Sequence, residues 1–262
     1  MTREIHATAS KGFHLQAANY AQTRPTYPKE VVERIKTLIP NYQRSNIIDL
    51  AAGTGIMTSI LYNAGFSGIK AVEPVEGMRS KLNELLPQVP CLDGTSWKMP
   101  FEDASQDAII VAQAFHWFDD IQSLREFHRV LKPNGIVILT WNMESQERGE
   151  WVANIRSLYE VYDAAAPQFR KMYWRKVFET EEAKALFKLP YTEEMYRNDF
   201  EVPKENIWKR VLTKSYISSL DKAEQKKLKV KIEEAIKDVP VDNQNRVFYP
   251  HETYFVYFRK NE

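Results

Sequence analysis

Residues 47–55, IIDLAAGTG, constrain this chain more than any other segment. Residues 45–50 form a short run dominated by isoleucine and leucine, the pattern of a strand buried on both faces. A glycine turn follows at once. Residues 54–64 then read as a helix with Ile56, Ile60 and Leu61 inward and Gly65 as its cap. A strand that runs through a glycine turn into a helix N-terminus opens a β-α-β unit, and there the backbone can approach a ligand closely.

The rhythm then repeats. Residues 68–72 predict a second strand, ended by Glu73 and Pro74. Residues 76–86 predict a helix with Met78, Leu82, Leu85 and Leu86 on one side, and residues 89–92 a weak third strand. Residues 108–114 (AIIVAQA) and 136–141 (IVILTW) predict the fourth and fifth strands, joined by a helix over 119–131 and an exit turn at 132–135. Upstream, residues 28–39 predict a helix that starts on Pro28 and stops at Pro40. Such alternation requires a Rossmann-like, mostly parallel sheet with helices on both faces.

After Trp141 the alternation stops. Residues 142–240 read as mainly helical and rich in aromatics, with a possible strand at 196–202, and residues 252–259 (ETYFVYFR) read as a last strand. The expected organisation is one α/β domain over 1–262. It comprises an N-terminal lid and first helix (1–40), a core (41–141), a helical cap inserted after the fifth strand (142–240) and a C-terminal strand segment (241–262). No internal repeat or flexible linker divides it.

Lys and Arg number 36 against 35 Asp and Glu, so the net charge is +1. That balance does not suit sequence-independent nucleic-acid binding. No stretch approaches the roughly 20 apolar residues of a membrane span. The polar N-terminus lacks the apolar segment of a signal peptide, so the expected location is cytoplasmic. A single cysteine, Cys91, excludes an intrachain disulfide framework and a cysteine metal cluster, and reads as a buried thiol. No metal is expected.

The turn itself is Ala51-Ala52-Gly53-Thr54-Gly55-Ile56-Met57-Thr58. A pyrophosphate-binding turn carries a third glycine where Thr58 stands. An acid, Asp49, lies at the strand end instead. It would repel a pyrophosphate and suit a cationic or zwitterionic ligand. Glu73 ends the next strand, where an acid accepts both hydroxyls of a ribose. Turn and acid together are spaced to hold one adenosine.

With these residues in view, the chain resembles a class I S-adenosylmethionine-dependent methyltransferase. Residues 49–55 are similar to that family's first motif, with Ala51 in place of the first glycine. The resemblance implies that Glu73 binds the ribose, that Met78 covers the adenine and that residues 94–101 (GTSWKMPF) line it. Thr95 and Trp97 stand where many relatives carry an acid. Residues 112–119 (AQAFHWFD) resemble the branch of trans-aconitate methyltransferases and related small-molecule enzymes, and residues 18–25 resemble its lid. The cofactor implied is S-adenosylmethionine, with S-adenosylhomocysteine as product. The cofactor residues expected are Tyr20, Arg24, Asp49, Ala51, Gly53, Thr54, Gly55, Glu73, Pro74, Met78, Thr95, Ser96, Trp97, Gln113 and Ala114.

A sulfonium already activates its methyl group, so the protein's task is alignment and exclusion of water. The implied partner is a small-molecule acceptor, methylated on a carboxylate or hydroxyl oxygen. A small amine is the alternative, as is a regulatory protein that binds cofactor without turnover. His116, after the fourth strand, is the candidate base, though in an aromatic run it could equally be a packed histidine. Trp117, Trp141, Trp151 and Tyr173 are candidate substrate contacts, or simply core aromatics. Arg156, Arg170, Lys171 and Arg175 could hold an acidic acceptor or form a solvated face, and the lysines of 226–231 read as an exposed helix side. Monomer and homodimer are both compatible with the sequence.

Overall fold

The computed structural model describes residues 26–163 and 166–262. In chain order the elements are α1 (Lys29–Leu38), β1 (Ile47–Leu50), α2 (Ile56–Asn63), β2 (Ile69–Val72), α3 (Glu76–Leu85), β3 (Cys91–Leu92), β4 (Gln106–Ala112), α4 (Ile121–Val130) and β5 (Leu131–Glu144). Then follow α5 (Glu150–Tyr159), α6 (Glu181–Leu186), β6 (Phe187–Arg197), β7 (Phe200–Pro203), α7 (Asn206–Leu212), α8 (Ser215–Ser218), α9 (Lys222–Ala235), β8 (Arg246–Tyr249) and β9 (His251–Lys260). The described residues divide into two compact units. The larger holds Thr26–Trp141, Gln168–Tyr196 and Thr253–Glu262, and the smaller holds Asn142–Pro167 and Arg197–Glu252.

The larger unit is built on a seven-stranded sheet of order β3-β2-β1-β4-β5-β9-β6. β1 pairs in parallel with both β2 and β4, and β2–β3 and β4–β5 are also parallel. The chain thus builds outward from β1 to one side, then returns and builds from β4 to the other. The crevice at the carboxyl ends of β1 and β4 is where an open α/β sheet binds its ligand. All four residues of β1 are buried, as a strand covered on both faces requires. One face packs Ile47, Ile69, Ala71, Ile110 and Ile138 against Val31 and Ile35 of α1 and Leu61 of α2. α4 is capped by Asp120, whose carboxylate accepts from Ser123 N at 2.9 Å, and buries Leu124, Phe127 and Val130.

Four sequence expectations are redrawn. The exit turn expected at 132–135 lies inside β5, which starts directly at Leu131; Asn134 takes φ +60° there, and the β4 register slips between Gln106 and Ala108. The fourth strand ends at Ala112, because Gln113 turns the chain with φ +62°. Residues 196–202 are not one strand. Arg197 closes β6 of the large sheet, and Phe200–Pro203 pairs antiparallel with β8 in a separate two-stranded sheet. The alternation along 187–197 is too polar on its outer face to stand out as a strand by apolar content alone. Cys91 is partly rather than fully buried, and burial still pushes its thiol up to about 12.

The smaller unit holds α5, α7, α8, α9 and the β7–β8 ribbon. Its centre is ionic. Fully buried Glu144 accepts from Lys214 Nζ at 2.9 Å and lies 3.5 Å from an Arg210 nitrogen. Arg156 donates to the Glu144 carbonyl at 2.7 Å and pairs with Glu160. His251 accepts from Arg210 at 2.6 Å and its other ring nitrogen meets the Tyr249 carbonyl at 3.0 Å. Burial works against the Glu144 charge, but Lys214, Arg210, His251 and Arg156 overcome it and hold the carboxyl well below its usual range. Burial, then the Arg210 charge, pushes His251 down to about 3. No helix among the described residues is long and apolar enough to cross a membrane.

Candidate cofactor and acceptor site

The turn after β1 is held in left-handed backbone at three positions: Ala51 (φ +55°), Gly53 (φ +59°) and Gly55 (φ +85°). Glycine takes that conformation freely, whereas alanine does not. Ala51 at the carboxyl end of β1 and Gln113 at the carboxyl end of β4 are therefore strained residues flanking one crevice, the placement typical of a binding edge. The two glycines do different work. A Cβ on Gly53 would meet nothing within 4 Å, so open space lies in front of it. A Cβ on Gly55 would lie 2.8 Å from Leu82 Cγ, so Gly55 is needed where α2 packs on α3. Gly53 belongs to the cradle and Gly55 to the core.

Glu73 N bonds Leu92 O, which places the acid at the carboxyl end of β2. Its two oxygens accept from Gly53 N at 2.9 Å and Val75 N at 2.8 Å. A carboxylate has about four lone-pair sites, so each oxygen keeps acceptor capacity for a hydroxyl. Burial raises the Glu73 pKa, and the two backbone N–H groups oppose the rise. Asp49 is fully buried. Thr58 donates to its Oδ2 at 2.5 Å, while Oδ1 has no hydrogen-bond partner among the described residues. Burial pushes Asp49 up to about 7, against the pull of Thr58 and with a push from Glu73. The Thr54 hydroxyl is also buried and unpartnered. Orphaned buried groups are rare because each costs about 1–3 kcal/mol. Asp49 Oδ1 and Thr54 Oγ1 beside an open glycine fit a ligand that brings hydrogen-bond donors and positive charge.

Met78 is buried in α3, and Pro74 precedes that helix. Residues 94–101 form a tight bend closed by two backbone hydrogen bonds between Thr95 and Lys98. Ser96 is buried and bonded to Ser123 Oγ at 3.0 Å. Trp97 donates its indole N–H to Asp120 at 2.9 Å. Asp120 therefore anchors the bend as well as capping α4. Its spacing to Ser123 ahead of an apolar helix is a cap signal visible in the sequence, but its second task is not.

Beyond Gln113 and Ala114, residues Phe115–Trp117 form a 3-10 turn. His116 is buried there, and Trp141 Nε1 donates to its Nδ1 at 3.2 Å. Trp141 is itself stacked on Phe169 and tilted against Trp174, with centroids 4.5 and 4.9 Å apart. Phe115 stacks on Phe178 at 5.7 Å. Segment 168–178 thus packs on Phe115 after β4 and on Trp141 within β5, and Trp174 Nε1 is buried without a hydrogen-bond partner among the described residues. Of the other candidate substrate contacts, Trp117 is partly buried and Tyr173 is 62 % exposed. Trp151 belongs to the smaller unit, where its ring lies 4.8 Å from Tyr249. Arg156 serves the Glu144 cluster, and Arg175 pairs with Glu193 at 2.8 Å. Tyr20 and Arg24 lie outside the described residues.

Residues 48–139 match the family described as "Methyltransferase domain", a span that holds Asp49, the glycine turn, Glu73 and His116. Over these residues the chain is similar to S-adenosylmethionine-dependent methyltransferases. It is 29 % identical over 244 residues to an uncharacterized methyltransferase-like protein of Schizosaccharomyces pombe, covering 93 % of each chain. It is 38 % identical over 146 residues to an uncharacterized methyltransferase of Mycobacterium tuberculosis, a match spanning 56 % of this chain and 58 % of that one. In fold it is similar to the structure of Haemonchus contortus phosphoethanolamine N-methyltransferase 2 in complex with phosphomonomethylethanolamine and S-adenosylhomocysteine. There the TM-score is 0.58 at 11 % identity, covering 100 % of this chain and 61 % of that one. The methyltransferase domain matched over residues 48–139 implies S-adenosylmethionine as cofactor.

Proposed function

We propose that this methyltransferase moves the methyl group of S-adenosylmethionine to an oxygen of a small molecule, a carboxylate or a hydroxyl, with all 262 residues working as one methyltransferase domain. The observation that carries the reading is the pair of buried acids at adjacent strand ends. Glu73 has acceptor capacity for two ribose hydroxyls, and Asp49 Oδ1 and Thr54 Oγ1 wait unpartnered beside Gly53. In this reading Met78, Pro74 and residues 95–97 flank the adenine, Ala51 and Gly55 shape the turn, and Gln113 and Ala114 border the reacting end. Tyr20 and Arg24 complete the binding set. The bound sulfonium supplies an activated methyl group for in-line displacement. The chain contributes alignment and a dry setting, since the aromatic shell of Phe115, Trp141, Phe169, Trp174 and Phe178 excludes water from the acceptor side. The resemblance of residues 112–119 to the trans-aconitate methyltransferase branch supports a small-molecule acceptor. A monomer or homodimer in the cytoplasm, without nucleic-acid or membrane partners, accords with the near-neutral charge.

The test begins with calorimetric titration of S-adenosylhomocysteine. The wild-type chain is expected to bind, and Glu73→Ala to bind about 100-fold more weakly, the loss of two hydrogen bonds to a charged acceptor. An unchanged affinity would remove Glu73 from the site. Labelled S-adenosylmethionine is then offered with panels of carboxylic acids, phenols, alcohols and amines. Turnover confined to amines would overturn the oxygen assignment.

A further inference from the structure

We infer that Thr58 is a positioning residue for the cofactor: its hydroxyl fixes one oxygen of Asp49, so that the other is left for the ammonium of the cofactor's amino-acid end. The inference rests on the reading of Asp49 proposed above. Thr58 stands where a pyrophosphate-binding turn carries its third glycine. Both residues are completely buried, and from the first turn of α2 the Thr58 hydroxyl donates to Asp49 Oδ2 at 2.5 Å. A threonine hydroxyl in a helix has two favoured settings, one of them turned back on its own helix; here it is spent on Asp49 instead. That bond sets the plane of the carboxyl group. Oδ1 is then the free acceptor, without a hydrogen-bond partner among the described residues. Of the groups the cofactor carries, only an ammonium joins N–H donors to a full positive charge, and a buried acid attracts that combination most strongly.

The hydroxyl has a second effect. Donation to Oδ2 favours the charged carboxylate, against burial and the Glu73 charge, which both favour the neutral acid. The elements around Asp49 meet it mainly with apolar groups. β2 and β4 place Ala71 and Ile110 beside it, and α1 packs Val31 and Ile35 on the sheet face that Ile47 and Asp49 share. The Cys91 thiol of β3, pushed up to about 12, stays neutral at pH 7. Glu73 is thus the neighbouring charge, and Thr58 is the group that keeps the acid able to ionise when an ammonium arrives. Asp49, pushed up to about 7, holds a proton below that pH and must release it to pair with the ammonium.

Calorimetric titration of the full chain with two ligands, from about pH 5.5 to 8.5, tests this. One is S-adenosylhomocysteine. The other is 5′-methylthioadenosine, which keeps the nucleoside and the thioether but lacks the amino-acid end. Glu73 serves the nucleoside that both share, so the ratio of the two affinities reports on Asp49. In the wild type the ratio is expected to rise as pH climbs toward 7 and then to level. In Thr58→Val, which keeps the shape and removes the hydroxyl, it is expected to fall about tenfold at pH 7.5. Its rise should also move up by about 1–2 pH units, the loss of one hydrogen bond to a charged group. Thr58→Ser is expected to restore both, and Thr58→Ala takes the place of the valine variant should that chain not fold. An unmoved ratio in the variant without a hydroxyl would overturn the inference. So would an equal loss of both ligands, the sign of a merely structural role. Asp49→Asn examines the underlying reading and is expected to lower the ratio and flatten its pH dependence. A wild-type ratio in Asp49→Asn would remove Asp49 from the cofactor site, and Thr58 with it. A lowered ratio there beside an unmoved one in Thr58→Val would overturn the role of Thr58 alone.

Discussion

The two units each bury an acid, and they treat it in opposite ways. In the smaller unit Glu144 is surrounded by Lys214, Arg210 and Arg156, and its charge is held by them. In the larger unit Asp49 and Glu73 are equally buried, yet among the described residues no cation bonds either carboxylate and one Asp49 oxygen has no hydrogen-bond partner. A saturated buried acid is part of the scaffold. An unsaturated one, beside strained backbone and open space, marks where a donor-bearing ligand is to come. The contrast supports the proposed cofactor site by what its residues lack, and explains why burial pushes Asp49 up while the Glu144 carboxyl is held down.

The strongest challenge to this contrast is Glu144→Ala. It strips the anion from buried cations, and a loss of about 3–5 kcal/mol is expected, read as a large drop in thermal midpoint with the fold of the larger unit followed separately by S-adenosylhomocysteine binding. A small change would mean that Glu144 is not the hub of the cluster. Next comes Asp49. Its folded pKa of about 7 lies above its ordinary 3.8, so between those values the folded state holds a proton that the unfolded state has lost. Stability should therefore fall as pH rises from about 4 to 7, by on the order of 4 kcal/mol in total. Asp49→Asn should flatten that slope; an identical slope in the variant would assign the effect elsewhere.

The smallest effects sharpen the comparison inside the glycine turn. Gly55→Ala is expected to cost about 1–3 kcal/mol, because its new methyl meets Leu82. Gly53→Ala should cost only about 1–2 kcal/mol, from left-handed backbone alone, yet weaken S-adenosylhomocysteine binding more than Gly55→Ala does per unit of lost stability. Denaturant unfolding and calorimetry on the two variants would separate them. The reverse ranking would merge the two roles.

The sheet was legible because its strands, as far as Trp141, are continuous apolar runs separated by helical periodicity, and Asp49, the glycines and Glu73 fall at their ends. Local pattern suffices where function sits on strand termini. It fails where partners are distant in sequence. The Trp141 contact with His116 joins residues 25 positions apart, and the Trp97 contact with Asp120 joins residues 23 apart. Arg156 reads as an acceptor contact or a solvated face, and nothing in the neighbourhoods of Glu144, Lys214 and Arg210 announces that they converge with it. The division of residues 196–202 between two sheets escaped for the same reason, since β7 is defined by its pairing with β8 nearly fifty residues on.

The contact that Gly55 imposes on Leu82 also sets a rule for redesign and for descent. Helix α3, which carries Met78, is seated on the turn through the close approach of its Leu82, with Leu86 just beyond it, to Gly55. Positions 55 and 82 therefore share a fixed volume. A variant or a natural chain with a larger residue at 55 needs a smaller side chain at 82 in the same step, and the two sites are expected to change together or not at all.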